Sequence, residues 1–127
     1  MNRFGLRNDN QSMNQNPIKT KSYDFALQIV DLFKLLTAKK EFILSKQILR
    51  SGTSIGANVF EAQGGISKRE FIVKIQIAYK ECLETIYWLN LLKDSKFIDE
   101  KSFNEFSIKC EELRKILVSI QKTSKGE

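Results

Sequence analysis

Glu81 and Glu84 stand three residues apart, a spacing that puts both carboxylates on one face of a helix. A third acid, Glu61, lies on the preceding helical stretch, where folding can bring it opposite them. Carboxylates so placed are half of a bundle metal site, in which Glu residues are completed by Glu-x-x-His pairs. Histidine is absent from all 127 residues. That removes the commonest nitrogen ligand and the commonest general base. The stronger reading is a structural polar cluster. Arg50, Asn58, Glu61, Glu81 and Glu84 would pair across helices or at a subunit contact, because carboxylates removed from water need such partners. No metal ligand and no cofactor is expected.

Nucleophilic chemistry lacks parts too. Cys82 and Cys110 fall on apolar stripes, where cysteine behaves as a small hydrophobe. Ser51 and Ser54 have no imidazole to activate them. Gly64-Gly65 is too short for a phosphate loop and follows no strand. The expectation is a protein that is not an enzyme.

Charge suggests a different role. Twenty-one Lys and Arg oppose fifteen Asp and Glu, a net +6, and that balance favours anionic partners. Lys39, Lys40, Lys46, Lys68, Arg69 and Lys74 are the candidate contacts. Lys68 and Arg69 adjoin a helix N-terminus, which itself attracts phosphate. No homeodomain, zinc-finger or RNA-recognition signature accompanies them. Binding through these residues would address the backbone of RNA or DNA and fall steeply with salt. The rival is a structural protein–protein module whose cations are merely solvated.

Four helices must position these groups. The first is expected over Tyr23–Ala38 with Ser22 as N-cap, its face built from Phe25, Ile29, Leu32, Phe33 and Leu36 and widened by Leu27, Val30 and Leu35. The second is expected over Glu41–Ala62, with a stripe of Leu44, Ile48, Gly52, Ile55 and Val59. Its small residues, Ser51 to Ala57, lower helix propensity and call for close approach of a neighbouring helix. Gly64-Gly65 ends it. Ser67-Lys68-Arg69-Glu70 fits a capping box for a third helix over Lys68–Lys93, which carries two apolar lines: Phe71, Ile75, Ala78, Cys82 and Leu89, and Ile72, Tyr79, Leu83, Ile86 and Leu92. Asp99 caps a fourth helix ending near Thr123, with a heptad seam of Phe103, Phe106, Cys110, Leu113, Leu117 and Ile120. Short connections make this an all-α, antiparallel up-down four-helix bundle over residues 21–123. A disordered polar tail (1–20) and C-terminus (124–127) flank it. Broad apolar faces on helices one and three suggest association with identical copies. No stretch is apolar enough to span a bilayer, no secretory leader is apparent, and two free cysteines suit a reducing cytoplasm.

Two segments carry a resemblance. Arg50-Ser51-Gly52-Thr53-Ser54-Ile55-Gly56-Ala57-Asn58-Val59-Phe60-Glu61-Ala62 is similar to the R-x-x-x-S-I-x-x-N-I-x-E-[AG] block of the 23S rRNA intervening-sequence protein family, also called four-helix bundle proteins. Lys80-Glu81-Cys82-Leu83-Glu84-Thr85-Ile86-Tyr87-Trp88-Leu89 resembles its second block, K-E-x-x-E-T-x-Y-W-L. The resemblance covers residues 22–123. It implies an up-down bundle that assembles as a ring-shaped homopentamer. One related branch, the accessory variability proteins of diversity-generating retroelements, binds reverse transcriptase and nucleic acid through a basic surface. The motif residues carry over as Arg50, Ser54, Asn58, Glu61, Glu81 and Glu84. Phe60 departs from the pattern, where many members have Ala, and is expected to alter helix packing or a subunit contact.

Overall fold

The computed structural model describes residues 16–126. Four helices follow one another, with no strand among the described residues: α1 (Pro17–Ala38), α2 (Leu44–Gln63), α3 (Lys68–Asp94) and α4 (Glu100–Ser124). Each packs on the next, and α4 returns loosely to α1; the diagonal pairs α1/α3 and α2/α4 do not meet. This is the expected up-down bundle. None of the described helices is long and apolar enough to cross a membrane.

α1 begins earlier than expected. Pro17 occupies its first turn, where the missing N–H leaves no helical bond unmade. Asn16 donates from its side-chain amide to Gln63 at 2.9 Å, tying the start of α1 to the end of α2. Ser22 is therefore not an N-cap. It lies buried inside α1 and its hydroxyl donates to the Lys19 carbonyl at 3.3 Å. Of the polar tail expected over 1–20, residues 17–20 are helical, and 1–15 lie outside the described residues. At the other end, Ser124 closes α4, and residue 127 is likewise outside them.

α2 starts at Leu44, not Glu41. Lys40 takes a left-handed conformation (φ 65°) that ends α1, and the Glu41 N–H bonds back to the Leu36 carbonyl at 2.9 Å. The reversal lays the Glu41 carboxylate across the start of α2. There it accepts from the N–H groups of Ile43 (3.2 Å), Leu44 (3.0 Å) and Ser45 (2.6 Å), three donors that a helix start leaves without partners.

The helix then continues unbroken through its glycines. At Gly52 a Cβ would lie 2.7 Å from Ile29 Cγ1, and at Gly56 it would lie 3.1 Å from the Ser22 carbonyl oxygen. The small residues are there because α1 passes that close.

α3 opens on Ser67, whose hydroxyl accepts from the Glu70 N–H at 3.1 Å. The Glu70 carboxylate reaches back to the N–H of Ile66 at 2.9 Å rather than to Ser67, so the capping box is displaced by one residue. Asp99 caps α4 as expected, accepting from Ser102 N–H at 2.8 Å.

The core interleaves Phe25, Ile29 and Leu36 with Ile48, Ile55, Val59, Ile75, Leu89, Leu113 and Leu117. Phe25 meets Phe106 edge to face, with ring centres 6.2 Å apart. Between α2 and α3 the buried hydroxyls of Ser51 and Thr85 share a hydrogen bond of 2.9 Å.

Candidate functional site

The motif residues do not form a single cluster. Arg50 on α2 reaches across to α3, where one guanidinium nitrogen lies 3.3 Å from Glu81 Oε1 and the other bonds Glu84. Trp88, one turn beyond Glu84, donates its indole N–H to the same carboxylate at 2.9 Å. This places an Arg–Glu–Glu–Trp network on the α2–α3 surface. The Arg50, Glu81 and Glu84 side chains are 49%, 18% and 36% exposed, so the group is half solvated rather than buried as the sequence reading supposed.

Glu61 does not face Glu81 and Glu84. It pairs with Lys74 at 2.7 Å, some 16 Å along α2 from Arg50 at 1.5 Å rise per residue. Ser54 and Asn58 turn inward on their own helix instead, donating to the carbonyls of Arg50 (2.6 Å) and Ser54 (2.8 Å). No three acids or cysteines come together as a metal-binding group among the described residues.

The electrostatics follow from those contacts. Its hydrogen bond from Arg50, then that from Trp88, hold the Glu84 carboxyl below its ordinary range, and Glu84 in turn raises the Arg50 guanidinium. Glu84 is thus held in its charged form by Arg50 and Trp88, and Arg50 spans both carboxylates. Such a group orients helices and offers a contact surface.

Around it stand apolar side chains in water. Leu83 and Tyr87 on α3 are 44% and 60% exposed, and the Tyr87 ring abuts Trp88 edge-on at 5.0 Å. Phe60 is also half-exposed, with the Lys19 ammonium 5.9 Å from its ring centre. It sits at the α1–α2 surface, outside the buried core.

The six candidate cations divide between the two ends of the bundle. Lys39, Lys40 and Lys46 surround the α1–α2 turn, whereas Lys68, Arg69 and Lys74 follow the α2–α3 turn. The length of α2, about 30 Å for such a helix, separates them. Lys39 is engaged with the Phe97 carbonyl at 3.1 Å, and Lys74 with Glu61. Lys40, Lys46, Lys68 and Arg69 are exposed.

Sequence reasoning missed Glu41, Thr85 and Trp88. The last two stand in the second motif block, and Trp88 falls four residues after Glu84, a pairing distance on a helix. Glu41 gave no comparable signal, because its role depends on the turn at Lys40.

A comparison of sequences and folds adds to this geometry. A protein of unknown function from the S23 ribosomal protein family of Bacteroides thetaiotaomicron has a solved structure that is 48% identical to this chain, with a TM-score of 0.82 over 83% of this chain and 98% of that one. None of the curated proteins matches. The profile described as 23S rRNA-intervening sequence protein matches residues 14–119. With both motif blocks on the facing helices α2 and α3, the chain belongs to the 23S rRNA-intervening sequence protein family.

Proposed function

We propose that this protein is a non-enzymatic bundle that associates with its own copies and presents cations to the backbone of RNA or DNA. One observation carries the reading. Tyr23 and Leu27 on α1, and Leu83 and Tyr87 on α3, expose apolar surface on two helices that lie diagonally apart. Two unlike faces on opposite corners pair head to tail, and such pairing closes into rings when the rotation allows. Five is the copy number that the family resemblance implies. In such a ring Lys40 and Lys46 recur around one rim, Lys68 and Arg69 around the other, so modest patches add. The engagement of Glu81 and Glu84 by Arg50 supports a structural rather than catalytic use of the motif.

Light scattering on the wild type and on Leu83→Glu tests the assembly. The wild type is expected to be oligomeric and the variant to dissociate. A wild-type chain that stays monomeric at micromolar concentration would overturn it. Retardation of labelled RNA tests the cations. Complexes should weaken by orders of magnitude between roughly 50 and 200 mM salt if several phosphates are contacted, and Lys68→Glu/Arg69→Glu should weaken them further.

A second reading rests on the Arg50–Glu84–Trp88 network beside Tyr87, since Arg, Trp and Tyr dominate protein interfaces. It makes the bundle a scaffold for another protein, a reverse transcriptase in the branch noted above. It predicts assembly with no RNA retardation at low salt. A cytoplasmic location accords with both readings.

A further inference from the structure

α1 and α4 leave the bundle open along one seam. A groove of about 680 Å³ runs between them, lined by Leu32, Leu35, Phe106 and Ile108, of which Leu35 and Ile108 are 50% and 70% exposed. A smaller hollow of about 210 Å³ continues it past Asp24 and Glu112. The edges are acidic in a chain that is otherwise basic. Asp24 and Asp31 on α1, with Glu105 and Glu112 on α4, face only Lys21 and Lys109. Lys21 is occupied by Glu112 at 3.0 Å, while Asp31 and Glu105 form no ion pair among the described residues.

We propose that the chain's own segment 1–15 occupies this groove, with Phe4 and Leu6 against Leu35, Phe106 and Ile108, and Arg3 and Arg7 against Asp31 and Glu105. The segment lies outside the described residues, so the argument rests on composition, reach and charge. Arg3-Phe4-Gly5-Leu6-Arg7 places two apolar side chains between two cations, the complement of an apolar trough with acidic edges. Leu32 lies about 24 Å down α1 from Asn16 at 1.5 Å per residue. The chain from Phe4 to Asn16 can span up to about 40 Å, enough to double back. The family match covers residues 14–119, so Arg3 to Arg7 lie outside the matched stretch.

Amide spectra of the full-length, isotope-labelled chain test this. Wild type, Phe4→Ser/Leu6→Ser and Ile108→Glu are compared at a low and a higher protein concentration, each also in a Leu83→Glu background so that assembly through α3 is read separately. Substituting Phe4 and Leu6 should shift the amides of Gln28, Asp31, Leu35, Glu105 and Ile108. Ile108→Glu should shift those of Arg3 to Arg7. Raising the salt, which screens Arg–carboxylate pairs, should shrink both effects. Phe4 and Leu6 precede the family match, which begins at residue 14, and Ile108 is exposed, so the variants leave the core residues unchanged and the outcome is readable. Unmoved groove amides overturn the proposal, as do shifts confined to another face. Shifts that grow with protein concentration in the Leu83→Glu background also overturn it, because a neighbouring molecule would then be the occupant.

Discussion

Gly52→Ala sets helix propensity against packing, and the structure decides which prevails. Alanine in place of glycine inside a helix is worth about 1 kcal/mol. At this position, however, the new methyl would lie 2.7 Å from Ile29 Cγ1, 2.9 Å from Cγ2 and 3.0 Å from Cδ1. Carbon atoms pack at about 3.5–4.0 Å, so the methyl needs nearly an ångström that α1 must yield. Ile29 is fully buried, and its β-branch confines it to one χ1 rotamer in a helix, so the side chain cannot swing clear. Overpacking of this kind costs about 1–3 kcal/mol. Because two of the contacts fall below 3.0 Å, we expect the upper part of that range and a net loss of about 1–2 kcal/mol.

The sign should reverse when the obstacle is removed. Ile29→Ala alone deletes all three clashing atoms and should cost about 2–5 kcal/mol through the cavity it leaves. Adding Gly52→Ala in that background should then stabilise by roughly the propensity gain of about 1 kcal/mol. Urea unfolding followed through the fluorescence of Trp88, the only tryptophan, measures all four proteins. Protein concentration is held fixed because self-association shifts midpoints by mass action. A stabilised Gly52→Ala in the wild-type background, or the same sign in both backgrounds, would refute the reasoning.

Three further outcomes are expected. Glu41→Gln should lose about 1–3 kcal/mol, because a neutral amide cannot satisfy all three N–H donors, of which that of Ser45 is buried. Burial pushes the Glu41 carboxyl up, but the donors at Leu44, Ser45 and Ile43 outweigh it and hold the group low. A depressed folded value stabilises above the unfolded pKa of about 4.3 and is lost as pH falls through the folded value. Thermal midpoints of the wild type should therefore drop below pH ~4 more steeply than those of Glu41→Gln, and parallel curves would contradict this. Arg50→Ala should change the stability of the separate Leu83→Glu chain by no more than about 1 kcal/mol, since half-exposed ion pairs contribute little; a larger loss in urea titration would mean the network holds α2 to α3. Finally, the contact with Cys110 and burial push the Cys82 thiol up, and both cysteines are fully buried. Neither should react with a thiol reagent until the bundle opens, and rapid labelling under native conditions would show otherwise.

The sequence by itself determined the number of helices, their caps at Ser67 and Asp99, and most of the core, since apolar residues recurring every three or four positions can be buried in no other regular way. It also determined the unbroken course of α2, because Ile48, Ile55 and Val59 keep their spacing across the glycines. Tertiary structure decided the rest. Ser22 has the chemistry of a cap but lies in the wall of α1, where Gly56 admits it. Glu41 looks like a first helical residue and becomes a buried cap, because left-handed Lys40 turns the chain back over α2. Six cations that are near one another in the sequence lie at opposite ends of a helix, and Glu61 meets Lys74 rather than Glu81 and Glu84. Local pattern is set by the residues within a turn or two. Which side chains share a face depends on helix length and on the phase at which two helices meet, and those are properties of the packed bundle.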